Sequence, residues 1–350
     1  MLLRNIWMRD PYLLSVRDVI DAADGTSRGL PVGTEGPTKL AGRYWLYGTT
    51  DKAPNSVPPY SEFPGVGLDC YCSNDLVNWN GPFPAFRKPD GFWADTQFWA
   101  PEVYLYNGRL IMFASMKKIG KNNFRGVAIL ESKSGRPEGP FVPLMPGPLT
   151  PPTWSCLDGT LYVENGVPYM VFCHEWTQVG DGRMCLMELS RALDSSKKPS
   201  VLFTASQAPW SKTFNSSSAT HTSNFITDGP FLHRCATSNE LIMLWSSIGP
   251  NDQYCVGIAR STSGSVHGPW VHDPDPLYGR DGGHAMMTKV SLERSFAKPN
   301  GASQPEHTLM LMALHAPNRR IRNSAPKLLG MLEQRDESTG LAKLDWFEFQ

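Results

Sequence analysis

The feature that most narrows the fold is a pattern that returns along the chain. In Ser155-Cys156-Leu157-Asp158-Gly159-Thr160-Leu161-Tyr162-Val163 an acidic residue beside Gly enters a short apolar strand, a turn follows, and a second strand answers. Asp10-Pro11-Tyr12-Leu13-Leu14, Pro101-Glu102-Val103-Tyr104-Leu105, Asp228-Gly229-Pro230-Phe231-Leu232 and Gly283-His284-Ala285-Met286-Met287 repeat it more weakly, which makes five units. Their spacing of roughly 55 to 90 residues exceeds the ~40 to 45 of the common seven-bladed repeat. Few, large, loop-decorated sheets predict an all-β chain closed as a five-bladed β-propeller, with residues 1–350 as one domain.

Two hairpins of one design support the repeat. Asn107-Gly108 separates the runs Glu102–Tyr106 and Leu110–Ser115, and Asn165-Gly166 separates Thr160–Val163 from Pro168–His174. Both dipeptides supply the positive φ angles of a tight turn. Outer runs end alike, in Glu138-Gly139-Pro140-Phe141 and His267-Gly268-Pro269-Trp270. Val127–Ser132 reads as an outer strand, Asp21–Gly42 and the Ser/Thr-rich Ser211–Ser223 read as loops, and a long polar connection joins the strands of the fifth unit. The alternating run Leu344–Phe349 reads as a final strand that helps close the ring.

Charge excludes little but points away from some partners. With 33 basic against 33 acidic residues there is no electrostatic footprint for nucleic acid or an anionic membrane. No stretch reaches the roughly 18 apolar residues of a membrane helix, and Met1–Arg9 lacks an apolar region of signal-peptide length. The expectation is a cytoplasmic protein, or a secreted one if the N-terminus has been trimmed. Seven cysteines in apolar company resemble neither a zinc site nor a disulfide framework, and the sequon at Asn215-Ser216-Ser217 is weak counter-evidence for secretion.

In a propeller the starts of the innermost strands surround one axial opening, so Asp10, Asp158 and Asp228 can share a pocket although they lie far apart in the chain. Two carboxyls about 6.5 to 9.5 Å apart split a glycosidic bond with inversion, one activating water and one protonating the leaving oxygen. A third acid nearby raises the donor's pKa by like-charge repulsion. The competing structural role of Asp beside Gly or Pro is to cap a turn.

The ordered set Arg9-Asp10-Pro11-Tyr12, Tyr44-Trp45-Leu46-Tyr47-Gly48-Thr49, Ser73-Asn74-Asp75-Leu76-Val77-Asn78-Trp79, Phe98-Trp99-Ala100-Pro101-Glu102-Val103, Leu157-Asp158-Gly159 and Asp228-Gly229-Pro230-Phe231 resembles glycoside hydrolase family 43 over nearly the whole chain. The resemblance implies a five-bladed propeller of inverting enzymes acting on α-L-arabinofuranosides and β-D-xylosides, that is, an oligosaccharide substrate. It makes Asp10 the general base, Asp158 the residue that tunes and orients the acid, and Asp228 the general acid. Most members carry Glu before Gly-Pro, so the proton donor here is one methylene shorter, and Glu175 at the end of an adjacent strand is an alternative donor. The family often places a histidine beside an axial Ca²⁺, a role that falls to His284. Trp45, Trp99, Trp154, Glu175, Trp176 and Arg9 are the candidates to line the sugar pocket. The chemistry itself requires no cofactor.

The sequence therefore predicts an inverting arabinofuranosidase or β-xylosidase acting from chain ends. Two rivals stay open. One is a sugar-binding propeller without catalysis, motivated by the short acid. The other is a retaining hydrolase of the related fructan-degrading group, against which stands the lack of an Asn-Asp-Pro-Asn-Gly-type opening.

Overall fold

The computed structural model describes residues 1–26, 30, 43–52, 56, 62–120, 124–195, 197–214, 221, 223–292 and 307–348. Twenty strands form five four-stranded antiparallel sheets, each built from consecutive strands and ordered outward from a central axis. Blade one is β1 (Arg9–Ser15), β2 (Tyr44–Thr49), β3 (Gly67–Ser73) and β4 (Trp79–Arg87). Blade two is β5 (Thr96–Tyr106), β6 (Arg109–Lys117), β7 (Gly126–Ser132) and β8 (Phe141–Pro143). Blade three is β9 (Cys156–Glu164), β10 (Val167–His174), β11 (Arg183–Glu188) and β12 (Ser200–Thr204). Blade four is β13 (Asp228–Arg234), β14 (Leu241–Ile248), β15 (Tyr254–Ser261) and β16 (Trp270–His272). Blade five is β17 (Gly283–Leu292), β18 (His307–Ala316), β19 (Ala325–Arg335) and β20 (Ala342–Glu348). The first strand of each blade packs against the first strands of its neighbours, which is what makes the five-bladed propeller.

Burial follows position in the blade. Every residue of β2 and of β14 is buried, because a second strand is covered on both faces by the adjoining blades. Such strands read as unbroken apolar runs rather than as alternation. The outer strand β4 alternates over its first six residues, with one face turned to solvent. Large side chains fill the seams between blades, each contributing on the order of 1.5–3 kcal/mol. Trp210, on the connection between blades three and four, occupies one such seam because residue 257 is glycine: a Cβ there would stand 2.0 Å from its Cζ2.

The ends of the chain meet without sharing a sheet. The run beginning at Leu344 was expected to help close the ring, but it lies in β20, the outermost strand of blade five, and pairs with β19 alone. The seam is instead β1 packed on β17 and β18. It is pinned by Trp7 Nε1 donating to the Ile321 carbonyl at 2.9 Å and Tyr44 Oη donating to the Ser291 carbonyl at 2.7 Å. Val127–Ser132 falls in a third strand, and Phe141–Pro143 lies outside it. Both Asn-Gly hairpins form, and the one at Asn107-Gly108 is fastened from outside, its two amides donating to the buried carboxylate of Asp21 at 2.9 and 2.8 Å. Residues 31–42, the sequon at Asn215, most of the Ser/Thr-rich run and the polar connection 293–306 lie outside the described residues. All seven cysteines are buried and unpaired. No described helix is long and apolar enough to cross a membrane.

Candidate active site

Each inner strand is bulged near its axial start, where the register with its neighbour slips. One residue in each bulge is turned into the left-handed region: Asp10 (φ 52°), Ala100 (45°), Asp158 (56°), Gly229 (51°) and His284 (55°). Only one of the five is glycine, so four side chains hold a conformation that costs energy and persists only where the surroundings fix it. A bulge also takes an N–H out of the ladder, and a buried N–H requires a partner. In all five cases a side chain of the preceding blade supplies it. Asp10 N–H donates to His315 Nδ1 (3.1 Å), Ala100 N–H to Thr49 Oγ1 (2.9 Å), Asp158 N–H to Ser115 Oγ (2.7 Å), Gly229 N–H to Asp158 Oδ2 (2.9 Å) and His284 N–H to Ser246 Oγ (2.8 Å).

This ring of contacts corrects one expectation. Asp10 and Asp158 occupy equivalent bulge positions, whereas Asp228 stands one residue ahead of its own, opposite Ser246 in the ladder. The bulge position in blade four belongs to Gly229, where a Cβ would meet the His284 ring at 2.8 Å. The third acid therefore approaches the axis from a different point of its blade than the other two.

Asp10 is held as an anion. Burial alone would raise its carboxyl, but His284, Arg9 and the hydroxyl of Thr49, donating to Oδ2 at 2.6 Å, bring it down to about 2. His315 is not a cationic partner: burial and the nearby Arg9 push the imidazole down to about 3, and its Nδ1 accepts the Asp10 amide. Its Nε2 then carries the proton and faces Asn318 Oδ1 at 3.2 Å. His284 Nδ1 sits between two acids, 3.3 Å from Asp10 Oδ1 and 3.6 Å from Asp158 Oδ2.

Asp158 and Asp228 are held the other way. Burial, then the charge of Asp10, raises Asp158 to about 7, and burial, then the charge of Asp158, raises Asp228 to about 7. Two coupled carboxyls in one low-dielectric site cannot both ionise cheaply, so at neutral pH they hold a proton between them. Tyr254 Oη donates to Asp228 Oδ2 at 3.0 Å and favours its ionised form. Asp158 is buried, while Asp10 and Asp228 both keep some surface toward the opening. The two partly exposed acids are the ones a ligand can touch.

The other candidates separate into two groups. Trp45 does not reach the opening: it is 1% exposed and packs in the core near Phe83, where a β2 residue opposite Leu14 must lie. Trp99, Trp154 and Trp176 are partly exposed. Trp99 lies over the guanidinium of Arg125 (4.3 Å), Trp154 stacks on His174 (4.2 Å, 7°), and Trp176 meets Phe214 edge-on. Arg9 Nη2 donates to Asn318 Oδ1 at 2.7 Å, next to Asp10. Glu175 is buried against Arg125 Nη1 at 2.5 Å and accepts from Ser155 Oγ at 2.7 Å. Burial opposes its ionisation, but Arg125 and these hydrogen bonds hold it below the usual carboxylate range, the reverse of what a proton donor needs.

An axial Ca²⁺ finds a poor set of donors. Among the described residues the only His, Cys, Asp and Glu trio with ligand atoms within 4.8 Å of one another is His233, Cys235 and Glu333, away from the axis start. At His284 the protein offers one imidazole, and water would have to supply most of the six to eight oxygens that Ca²⁺ takes, so no step below is routed through a metal.

Sequence reasoning passed over Thr49, Ser115, Ser246, His315 and Tyr254. The first four share a signal, a polar residue within the last three positions of a largely apolar second strand. Tyr254 opens a third strand and carries no such mark.

A propeller that gathers one ionised and one protonatable carboxyl, both partly exposed, with a third buried among them, has the construction of a glycosidase. The profile of glycosyl hydrolases family 43 matches residues 39–302, and the chain belongs to that family. An endo-arabinase from Bacteroides thetaiotaomicron is 31% identical with a TM-score of 0.70, covering 94% of this chain and 95% of that one. A thermostable family-43 glycoside hydrolase (19% identical, TM-score 0.64, 97% of this chain and 92% of that one) shares the fold. So does an α-L-arabinofuranosidase from Lactobacillus brevis (15%, 0.60, 96% and 93%). A search of curated proteins finds no match.

Proposed function

We propose that the enzyme hydrolyses α-L-arabinofuranosyl linkages of plant-type oligosaccharides with inversion. The observation that carries the reading is the opposed state of the two exposed acids, Asp10 held near 2 and Asp228 near 7. Ionised Asp10 takes a proton from water as the water attacks the anomeric carbon. Protonated Asp228 gives its proton to the departing glycosidic oxygen. Asp158 keeps the proton on Asp228 by its charge and fixes the adjacent backbone through Gly229 N–H. Trp99, Trp154 and Trp176 offer partly exposed rings suited to sugar faces. The 31% identical neighbour is named an endo-arabinase, which favours arabinose over xylose and leaves β-D-xylosides as the second reading.

The test is hydrolysis of 4-nitrophenyl α-L-arabinofuranoside, 4-nitrophenyl β-D-xyloside and linear arabinan, with NMR of the first-formed sugar anomer. Turnover of the arabinosides with inverted product is expected. Net retention would overturn the assignment of Asp10 as base, and cleavage of the xyloside alone would overturn the sugar. Carbohydrate binding without turnover of any substrate would establish the non-catalytic alternative.

A further inference from the structure

The end of the axis opposite the acids carries a second group of chemically active side chains. His233 and Cys235 stand two residues apart where β13 leaves the ring, on one face of the chain, and Glu333 meets them from β19 of the next blade. Along β13 this is about 17 Å from Asp228, five residues at the rise of a strand. His233 Nε2 lies 2.9 Å from Glu333 Oε2. The other carboxylate oxygen is fixed by the blade-four hairpin, with Thr237 N–H and Oγ1 donating to Oε1 at 2.8 and 2.9 Å. Cys235 is buried and unpaired. All three ligand atoms lie within 4.8 Å of one another.

We propose that His233, Cys235 and Glu333 form a binding site for a thiophilic divalent cation of the Zn²⁺ type at the seam of blades four and five. The donor set selects the ion: one imidazole, one thiolate and one carboxylate suit Zn²⁺ and match poorly with Ca²⁺ or Mg²⁺, which favour all-oxygen shells. Around a tetrahedral ion with bonds of roughly 2.0–2.3 Å, ligand atoms stand about 3.3–3.7 Å apart, so side-chain rotations of about 1 Å close the site. Thr237 already supplies the outer hydrogen bonds that orient a ligating carboxylate. A way in exists as well. His233 lines a cavity of about 340 Å³ together with Asp18, Arg234, Thr288, Lys289 and Met310, and its side chain and that of Glu333 keep 14% and 10% exposure, so solvent reaches both. On binding, Cys235 Sγ gives its proton to solvent and the cation takes the thiolate; no oxidant or reductant is involved. The bond between His233 and Glu333 then serves as the resting latch that the ion replaces.

The test uses untagged full-length protein stripped with a chelator and titrated with Zn²⁺ by calorimetry, beside Cys235→Ser and His233→Gln. One cation per chain is expected, bound at least tenfold more weakly by each variant. Co²⁺ in the parent protein should show a thiolate-to-metal charge-transfer band, which decides the matter even where a variant does not fold. Absence of binding, equal binding by parent and folded variants, or a Co²⁺ spectrum without the sulfur band would each overturn the site.

Discussion

The body of a blade and its axial rim are made by the same strands and obey different rules. In the body, β14 buries all eight of its residues, and Trp245 packs between Phe203 and Trp210 with ring centroids at 5.4 and 4.8 Å. At the rim the same sheet breaks register between Asp228 and Phe231, and Gly229 turns to a positive φ. The body satisfies its amides inside the sheet; the rim satisfies them with side chains from the blade before. Stability therefore concentrates in the regular part and chemistry in the irregular part. The bulges aim carboxyls at the axis because they have left the ladder.

That division can be broken by exchanging the effects. Asp10→Asn removes the proposed base while keeping the shape of the bulge, so kcat on arabinosides should fall roughly 10³- to 10⁴-fold, with a smaller loss of stability, about 2 kcal/mol at pH 7, from the carboxyl that folding holds down to about 2. A loss of stability well beyond that in this variant would show that the rim carries the fold. Trp245→Ala should do the reverse. A cavity in the aromatic seam costs about 3–5 kcal/mol in denaturant unfolding, and the protein that remains folded should turn over at the parent rate.

The rim also predicts a stability that depends on pH. Burial and Asp158 raise Asp228 above its unfolded value of 3.8 to about 7. Its contribution is thus fully present below about pH 4 and is lost as pH rises through 7. Asp228→Asn should therefore be more stable than the parent at pH 8 by about 1–2 kcal/mol, discounted for the part of the side chain that meets water. The advantage should vanish near pH 4; one independent of pH would mean that Asp228 is not strained. The smallest expected effect is on the pH profile. Turnover should decline as pH rises through about 7, where Asp228 loses its proton. Tyr254→Phe removes a hydrogen bond that favours the carboxylate, so this alkaline limb should move up by about half a unit. A downward shift would contradict the assignment of Asp228 as proton donor.

The sequence made the body legible and the rim only in part. Asn107-Gly108 and Asn165-Gly166 marked hairpins because a tight turn demands their backbone angles, and apolar runs such as Leu241–Ile248 marked buried strands. The acids were found because an Asp before Gly or Pro at a strand start is visible in one dimension. Their exact placing was not: Asp228 is offset by one residue, and only the register shows it. Trp45 could not be told from a pocket residue, since an indole serves a core and a sugar site equally well in sequence. His315 stayed hidden because it reaches Asp10 only once blade five has closed on blade one, and Tyr254 because it reaches Asp228 from the third strand of the same sheet, a position the sequence does not mark.

The seam between the chain's ends runs through the proposed base itself. Asp10, in the first strand, has its amide held by His315 of the last blade, and Arg9 is tied to Asn318. A nascent chain that has emerged only as far as its fourth blade thus has its acids in hand, but of the partners that hold Asp10 it has Arg9 and Thr49 without His284 and His315. If Asp10 acts as proposed, turnover should appear in refolding only when blade five has packed on blade one, so its onset would report ring closure rather than the folding of any single blade.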